Sequence, residues 1–293
     1  MKKQLQPPSL GSSIIELPEF PISARPLDQT LSVSLQEAPS LPARAETASV
    51  ESEHGESMVF QPSFLEPFVN EGIPRGSNIS LLGPPGIGKT VLCENLATDM
   101  LRKGGNCLYV TLDRAPDEIK SDFKRLSPDL SEKEIKKKLI FVDGFSWLVG
   151  KTQEDYRIEN LTNLTELSIR IASASCNLTT PILMILDSVS PLPVYNPENV
   201  VVKFLQLLLA RVKSWKGLGI YVVQEGVHTN EFCNTLGYLV DGIFDMKMME
   251  EADKITRYFR IRSLKFASHQ TKWIPFVIEH DRRFRLNPNQ GGN

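Results

Sequence analysis

Residues 78–96 read "NISLLGPPGIGKTVLCENL": a short apolar run, then three glycines, two prolines and one lysine, then apolar residues at helical spacing. A glycine-rich turn at a helix start exposes a row of free backbone N–H groups and the positive end of the helix dipole, which suits a polyphosphate. The spacing Gly83-x-x-x-x-Gly88-Lys89-Thr90 fills every fixed position of the phosphate-binding P-loop. On this reading Gly83, Pro85, Gly86, Ile87, Gly88, Lys89, Thr90 and Val91 hold the phosphates of a nucleotide. Gly86 and Gly88 let the backbone approach, Lys89 reaches the β- and γ-phosphate oxygens, and the Thr90 hydroxyl ligates Mg²⁺. That ion also calls for an aspartate at the end of a buried strand next to the P-loop strand. Two runs end suitably, "LIFVD" at Asp143 and "ILMILD" at Asp187. The second is longer and is followed by Ser188, so Asp187 is the expected metal ligand and Asp143 is left to cap the next turn.

Outward from this motif, apolar runs of strand length alternate with helical periodicity. Strands are expected at Asn78–Leu82, Cys107–Leu112, Leu139–Asp143, Ile182–Asp187 and Gly219–Gln224, with later ones at Gly242–Met246, Tyr258–Ile261 and Trp273–Ile278. Helices are expected at Thr90–Arg102, Pro116–Arg125, Ser131–Lys138, Ile158–Ala174 and Glu198–Lys213. Pro116 at a first helical position, followed by Asp117 and Glu118 in the dipole-favoured turn, supports the second of these. Continuous apolar strands separated by helices imply an α/β fold with a mostly parallel central sheet covered on both faces. The last three strands have little helix between them and are expected to extend one edge as antiparallel hairpins.

Composition divides the chain. Residues 1–58 are rich in Pro, Ser, Glu and Ala and too poor in apolar residues to bury a core, so they read as a disordered tail whose apolar cluster is "IIELPEF". Residues 59–288 read as one globular domain, and 289–293 as a frayed end. With 33 basic and 35 acidic residues, a formal charge of −2 leaves no general electrostatic footprint for nucleic acid or an anionic membrane. Cys93, Cys107, Cys176 and Cys233 are scattered with no C-x-x-C pair, no apolar run reaches the length of a membrane span, and the start lacks a secretory h-region. A reduced, cytoplasmic protein is the expectation. His228 and His269 fall in loops expected near the phosphates, without metal spacing, and His280 opens the small basic cluster "HDRRFRL".

At this point the residues resemble a family. "EGIPRGSNISLLGPPGIGKTVLCENLATDMLRKGGNCLYVTLDRAPDEI" is similar to the opening of KaiC-like ATPases of the RecA superfamily, of the single-domain archaeal type. "MILDSVSPL" resembles the family's Walker B strand, "YLVDGIFDM" its "DG" strand, and "RYFRIRSLKFASHQ" its late strand and loop. The resemblance implies a RecA-like core, ATP with Mg²⁺ at the P-loop, and rings or dimers with nucleotide at subunit interfaces.

Two departures bear on chemistry. The family usually follows its second strand with paired glutamates, the first polarising the attacking water, where this chain has Asp113 and Arg114. Asp113 is one methylene shorter, and displacing a base by about 1 Å costs of order 100-fold. The family also offers a lysine and an arginine to the neighbouring subunit's γ-phosphate, where this chain has Ser263 and Lys265. Lysine lacks the arginine fork. The expectation is therefore an ATP-binding, slowly hydrolysing regulatory ATPase, with Asp113 and Lys265 as catalytic candidates, acting through nucleotide-dependent assembly or an unknown protein partner. Gln224 and Glu225, at a strand end, are candidates for sensing the γ-phosphate and relaying its state through the loop "EGVHTNEFCNT". The alternative is a RecA-type recombination or repair accessory protein binding single-stranded DNA. The charge balance and the lack of basic-aromatic loop clusters favour the first.

Overall fold

A computed structural model describes residues 60–150, 154–251 and 254–287. The expected tail over 1–58, with "IIELPEF", and the 289–293 end lie outside the described residues. The strands are β1 (Asn78–Gly83), β2 (Asn106–Thr111), β3 (Leu139–Asp143), β4 (Tyr156–Arg157), β5 (Ile182–Asp187), β6 (Leu218–Gln224), β7 (Gly242–Glu251), β8 (Lys254–Leu264), β9 (Ile274–Ile278) and β10 (Phe284–Leu286). The helices are α1 (Lys89–Arg102), α2 (Pro116–Leu126), α3 (Glu132–Lys138), α4 (Leu164–Ser175), α5 (Leu192–Tyr195), α6 (Glu198–Ser214) and α7 (Asn230–Leu239).

All ten strands among the described residues join one sheet in the order β10-β9-β8-β7-β1-β6-β5-β2-β3-β4. From β7 to β4 every neighbour pair is parallel; β7–β8, β8–β9 and β9–β10 are antiparallel. Every residue of β2 and β5 is buried, which is why those strands read as unbroken apolar runs. One face packs against α1, α2 and residues around Leu65–Phe68; the other packs against α4, α6 and α7. The fold is thus α/β, mostly parallel, with an antiparallel C-terminal edge.

Three details differ from expectation. β7 is parallel to β1, so the antiparallel pairing begins only at β8 and gains β10. The helix expected over 158–174 starts at Leu164, because Asn163 caps it by accepting from the Glu166 N–H, while Tyr156–Arg157 pair with β3 instead. The segment read as a loop after Gln224 contains α7, capped by Thr229, whose hydroxyl accepts from the Phe232 N–H.

Chain direction makes the two ends of the parallel strands unlike. α1, α2, α4, α6 and α7 start beyond the C-terminal ends of parallel strands, and α1, α3, α4, α6 and α7 end just before the N-terminal starts of the next ones. Strand C-termini and helix N-termini share one edge. Strand N-termini and helix C-termini share the other.

Candidate nucleotide site

The P-loop lies at the C-terminal end of β1. Gly88, the N-cap of α1, has φ 110°, and Gly86 has φ 74°, both in the left-handed region that favours glycine. A Cβ at Gly86 would meet nothing within 4 Å, so the turn around it is open. Lys89 is buried, yet its ammonium donates to the carbonyl oxygens of Gly83 (2.7 Å) and Pro84 (2.8 Å) and to Gln224 Oε1 (2.7 Å). Burial pulls its pKa down to about 8, against the pull of Asp187, Cys93, Glu225 and Asp113.

Asp187 ends β5, and β5 is not beside β1: β6 lies between them. The expectation of an adjacent strand is corrected in that respect. The extra strand does not keep the two groups apart: the Thr90 hydroxyl lies close enough to the Asp187 carboxylate to help hold its pKa down, and the Tyr109 hydroxyl donates to Asp187 at 2.8 Å. Burial raises its pKa. A hydroxyl beside a buried carboxylate at the mouth of a phosphate loop is a donor set that suits Mg²⁺, and Thr90 and Asp187 would be the residues to hold it. Asp143, two strands further along the sheet, turns its Oδ1 to the N–H groups of Phe145 (3.0 Å) and Ser146 (2.9 Å).

Asp113 follows β2 at the same edge. Its Oδ2 accepts from Ser188 Oγ at 2.6 Å, and the loss of water around the carboxylate raises its pKa. Ser188 Oγ also accepts from the Ser190 N–H at 3.2 Å; Ser190 Oγ accepts from the Gln224 N–H at 2.9 Å and meets His228 Nε2 at 2.9 Å. Lys89, Gln224, Ser190, His228, Ser188 and Asp113 form one connected polar group. Arg114 turns away from it, to Asp122 (2.9 Å), Glu118 (3.2 Å) and Glu94 (3.5 Å). The fully buried Glu94 also takes Arg282, at 2.7 Å, from the β9–β10 turn, and burial lifts its pKa to about 7.

Other expected residues stand elsewhere. Leu264 pairs with Gly242, which pairs with Ile79 at the start of β1, so Ser263 and Lys265 lie at the edge opposite the P-loop. Lys265 Nζ donates to the Val240 carbonyl at 2.8 Å. His269, on the β8–β9 connection and bridged to Val69, is likewise not at the phosphate edge, which corrects its expected place. Sequence reasoning missed Tyr109, Ser190 and Arg282. For Tyr109 and Arg282 no local pattern was available, since each partner is distant in sequence.

The family model described as "ATPase: KaiC" matches residues 63–288. A UPF0273 protein of Methanopyrus kandleri is 26% identical over 232 residues, covering 77% of this chain and 90% of that one. A UPF0273 protein of Thermotoga maritima is 24% identical over 234 residues, covering 78% and 94% respectively. Among solved structures, a KaiC-like protein of the hyperthermophilic archaeon Pyrococcus horikoshii matches with a TM-score of 0.60 at 18% identity, over 80% of this chain and 98% of that one, a likeness of fold.

Proposed function

This chain belongs to the KaiC ATPase family, and from that premise we propose that it binds ATP with Mg²⁺ at the P-loop, hydrolyses it slowly, and acts by nucleotide-dependent assembly or partner binding. One observation carries the reading: a single sheet edge brings Lys89, Thr90, Asp187 and Asp113 into mutual reach. Lys89 exchanges its carbonyl and Gln224 acceptors for phosphate oxygens, and the P-loop N–H groups take the rest of the charge. Bound Mg²⁺ would add neutralisation of the phosphate charge. Asp113, held by Ser188, accepts a proton from the water whose oxygen bonds to the γ-phosphorus as the bond to the bridging oxygen breaks, releasing ADP and phosphate. The raised pKa of Asp113 favours that proton uptake. Its short side chain keeps turnover low.

Within one chain Lys265 cannot serve this site, because a strand of six residues, roughly 20 Å, separates the two edges. A contribution from Lys265 therefore requires a second copy. Among the described residues no helix is long and apolar enough to cross a membrane; with four free thiols, a cytoplasmic setting suits the protein. Calorimetric titration with ATP and Mg²⁺ tests the core of the proposal. One equivalent should bind, Lys89→Ala should abolish binding, and Asp187→Asn should remove its Mg²⁺ dependence while Asp143→Asn keeps it. Unchanged affinity in Lys89→Ala would sink the assignment.

A further inference from the structure

We propose that Glu94 and Arg282 are positioning residues for Asp113: a largely buried cluster of four charges, Glu94, Arg114, Asp122 and Arg282, clamps the segment after β2 between α1, α2 and the β9–β10 turn. The role of Asp113 as base rests on the proposed hydrolysis; the clamp itself does not.

Asp113 sits on a short segment that is tied on both sides. Before it, the Leu112 N–H donates to the Asp187 carbonyl at 2.7 Å. After it, the Arg114 carbonyl accepts from the Thr111 hydroxyl at 2.6 Å. The Arg114 guanidinium then reaches Asp122 at 2.9 Å and Glu94 at 3.5 Å, on the side away from the Asp113 carboxylate and its Ser188 partner. Glu94 is fully buried and Asp122 nearly so, and Arg282 meets both, at 2.7 and 3.1 Å. Two carboxylates thus face two guanidinia, and removing any one member leaves an uncompensated charge out of water. Glu94 lies five residues beyond Lys89 on α1, about 7.5 Å along the helix axis, so the cluster and the phosphate loop share one short rigid element.

The β9–β10 turn is built to deliver Arg282. Asn95 on α1 donates from Nδ2 to the Arg282 carbonyl at 2.9 Å and accepts the Phe284 N–H on Oδ1 at 3.1 Å. Arg282 holds a φ of 67°, a left-handed backbone that a residue with a Cβ adopts at a cost, and it does so where two carboxylates take its side chain. Ile278, at the end of β9, packs on the P-loop: its Cδ1 lies 2.4 Å from where a Cβ on Gly88 would stand. The turn therefore touches the phosphate loop and the charge cluster at once. Burial lifts the Glu94 pKa to about 7; Arg282 and Arg114 oppose the rise and Asp122 adds to it. Of its other titratable neighbours, burial keeps Cys93 and Tyr109 neutral. As the pH falls through 7, Glu94 takes a proton, both guanidinia are left to Asp122 and the exposed Glu118, and the hold on Arg114 slackens.

Turnover of the full chain from about pH 6 to 8, ATP affinity by calorimetry, and amide exchange over residues 111–116 test this. Arg282→Gln should lower kcat about tenfold or more, with KM and ATP affinity unchanged, and Arg282→Lys should recover part of the loss. Exchange over 111–116 should quicken in Arg282→Gln while α1 and β5 keep their protection. Wild-type kcat should fall as the pH drops through 7, and Glu94→Gln should stay at the lower level with that step gone. Unchanged kcat in Arg282→Gln, loss of kcat and ATP affinity together, or a step at pH 7 that survives Glu94→Gln overturns the proposal. If Glu94→Gln does not fold, the two Arg282 variants decide. The two readings stay apart: a wild-type chain without turnover strikes the proposed hydrolysis, and exchange over 111–116 then decides the clamp, which stands if Arg282→Gln quickens it and falls if it does not.

Discussion

At the scale of single residues, the site depends on groups whose ionisation is set by burial. The Lys89 pKa of about 8 lies below its ordinary 10.5. Between those values the unfolded chain keeps a proton that the folded one has lost, so the nucleotide-free protein should gain stability as pH rises from about 8 to 10.5. ATP affinity should move the other way, since phosphate needs the charged form, falling by up to about tenfold per pH unit above 8; titrations at pH 7, 8 and 9 read this, and a flat profile contradicts it. Asp113→Glu should raise turnover, and Asp113→Asn should nearly abolish it with binding intact. Turnover insensitive to Asp113→Asn would move water activation to Glu225. Lys89 and Thr90 were legible because their motif is contiguous in sequence. Ser188 was legible only as a hydroxyl near phosphate, because its bond to Asp113 spans 75 residues.

At the scale of elements, the seam between β1 and β7 is closely packed at Gly83. A Cβ on Gly83 would stand 2.8 Å from the Met246 carbonyl oxygen, a backbone atom that cannot rotate away. Gly83→Ala should therefore cost about 1–3 kcal/mol, or roughly 2–12 °C in melting temperature for a domain of this size. Gly86→Ala meets open space and strains only its φ of 74°, so it should lower the melting temperature less while still harming phosphate binding. Equal thermal losses would refute the packing argument. The parallel strands were readable from continuous apolar runs, which sheets buried on both faces demand. α7 was not read, although Thr229 as cap and Phe232, Leu236 and Val240 at four-residue spacing carried the signal. The Asn163 cap was likewise overlooked, which sets the expected start of α4 six residues too early. The parallel pairing of β7 left no local trace, because register with β1 is a tertiary choice.

At the scale of the whole molecule, the alternation of strands and helices decided the class of fold, while strand order came only with the structure. β1, first in the chain, sits between β6 and β7, two of the later strands. A chain ending at residue 217 would keep the P-loop, Thr90 and Asp187 yet lack both neighbours of β1, and should bind no ATP by calorimetry; binding by that fragment would mean the loop is competent by itself. The same order has a temporal side. During synthesis Lys89 emerges well ahead of its partner Gln224, 135 residues further on, a delay of roughly 7–27 s at ~5–20 residues per second. For that interval the apolar flanks of β1 and one side of α1 have no native neighbours, so the nascent chain should be a chaperone client first and a nucleotide binder only near release.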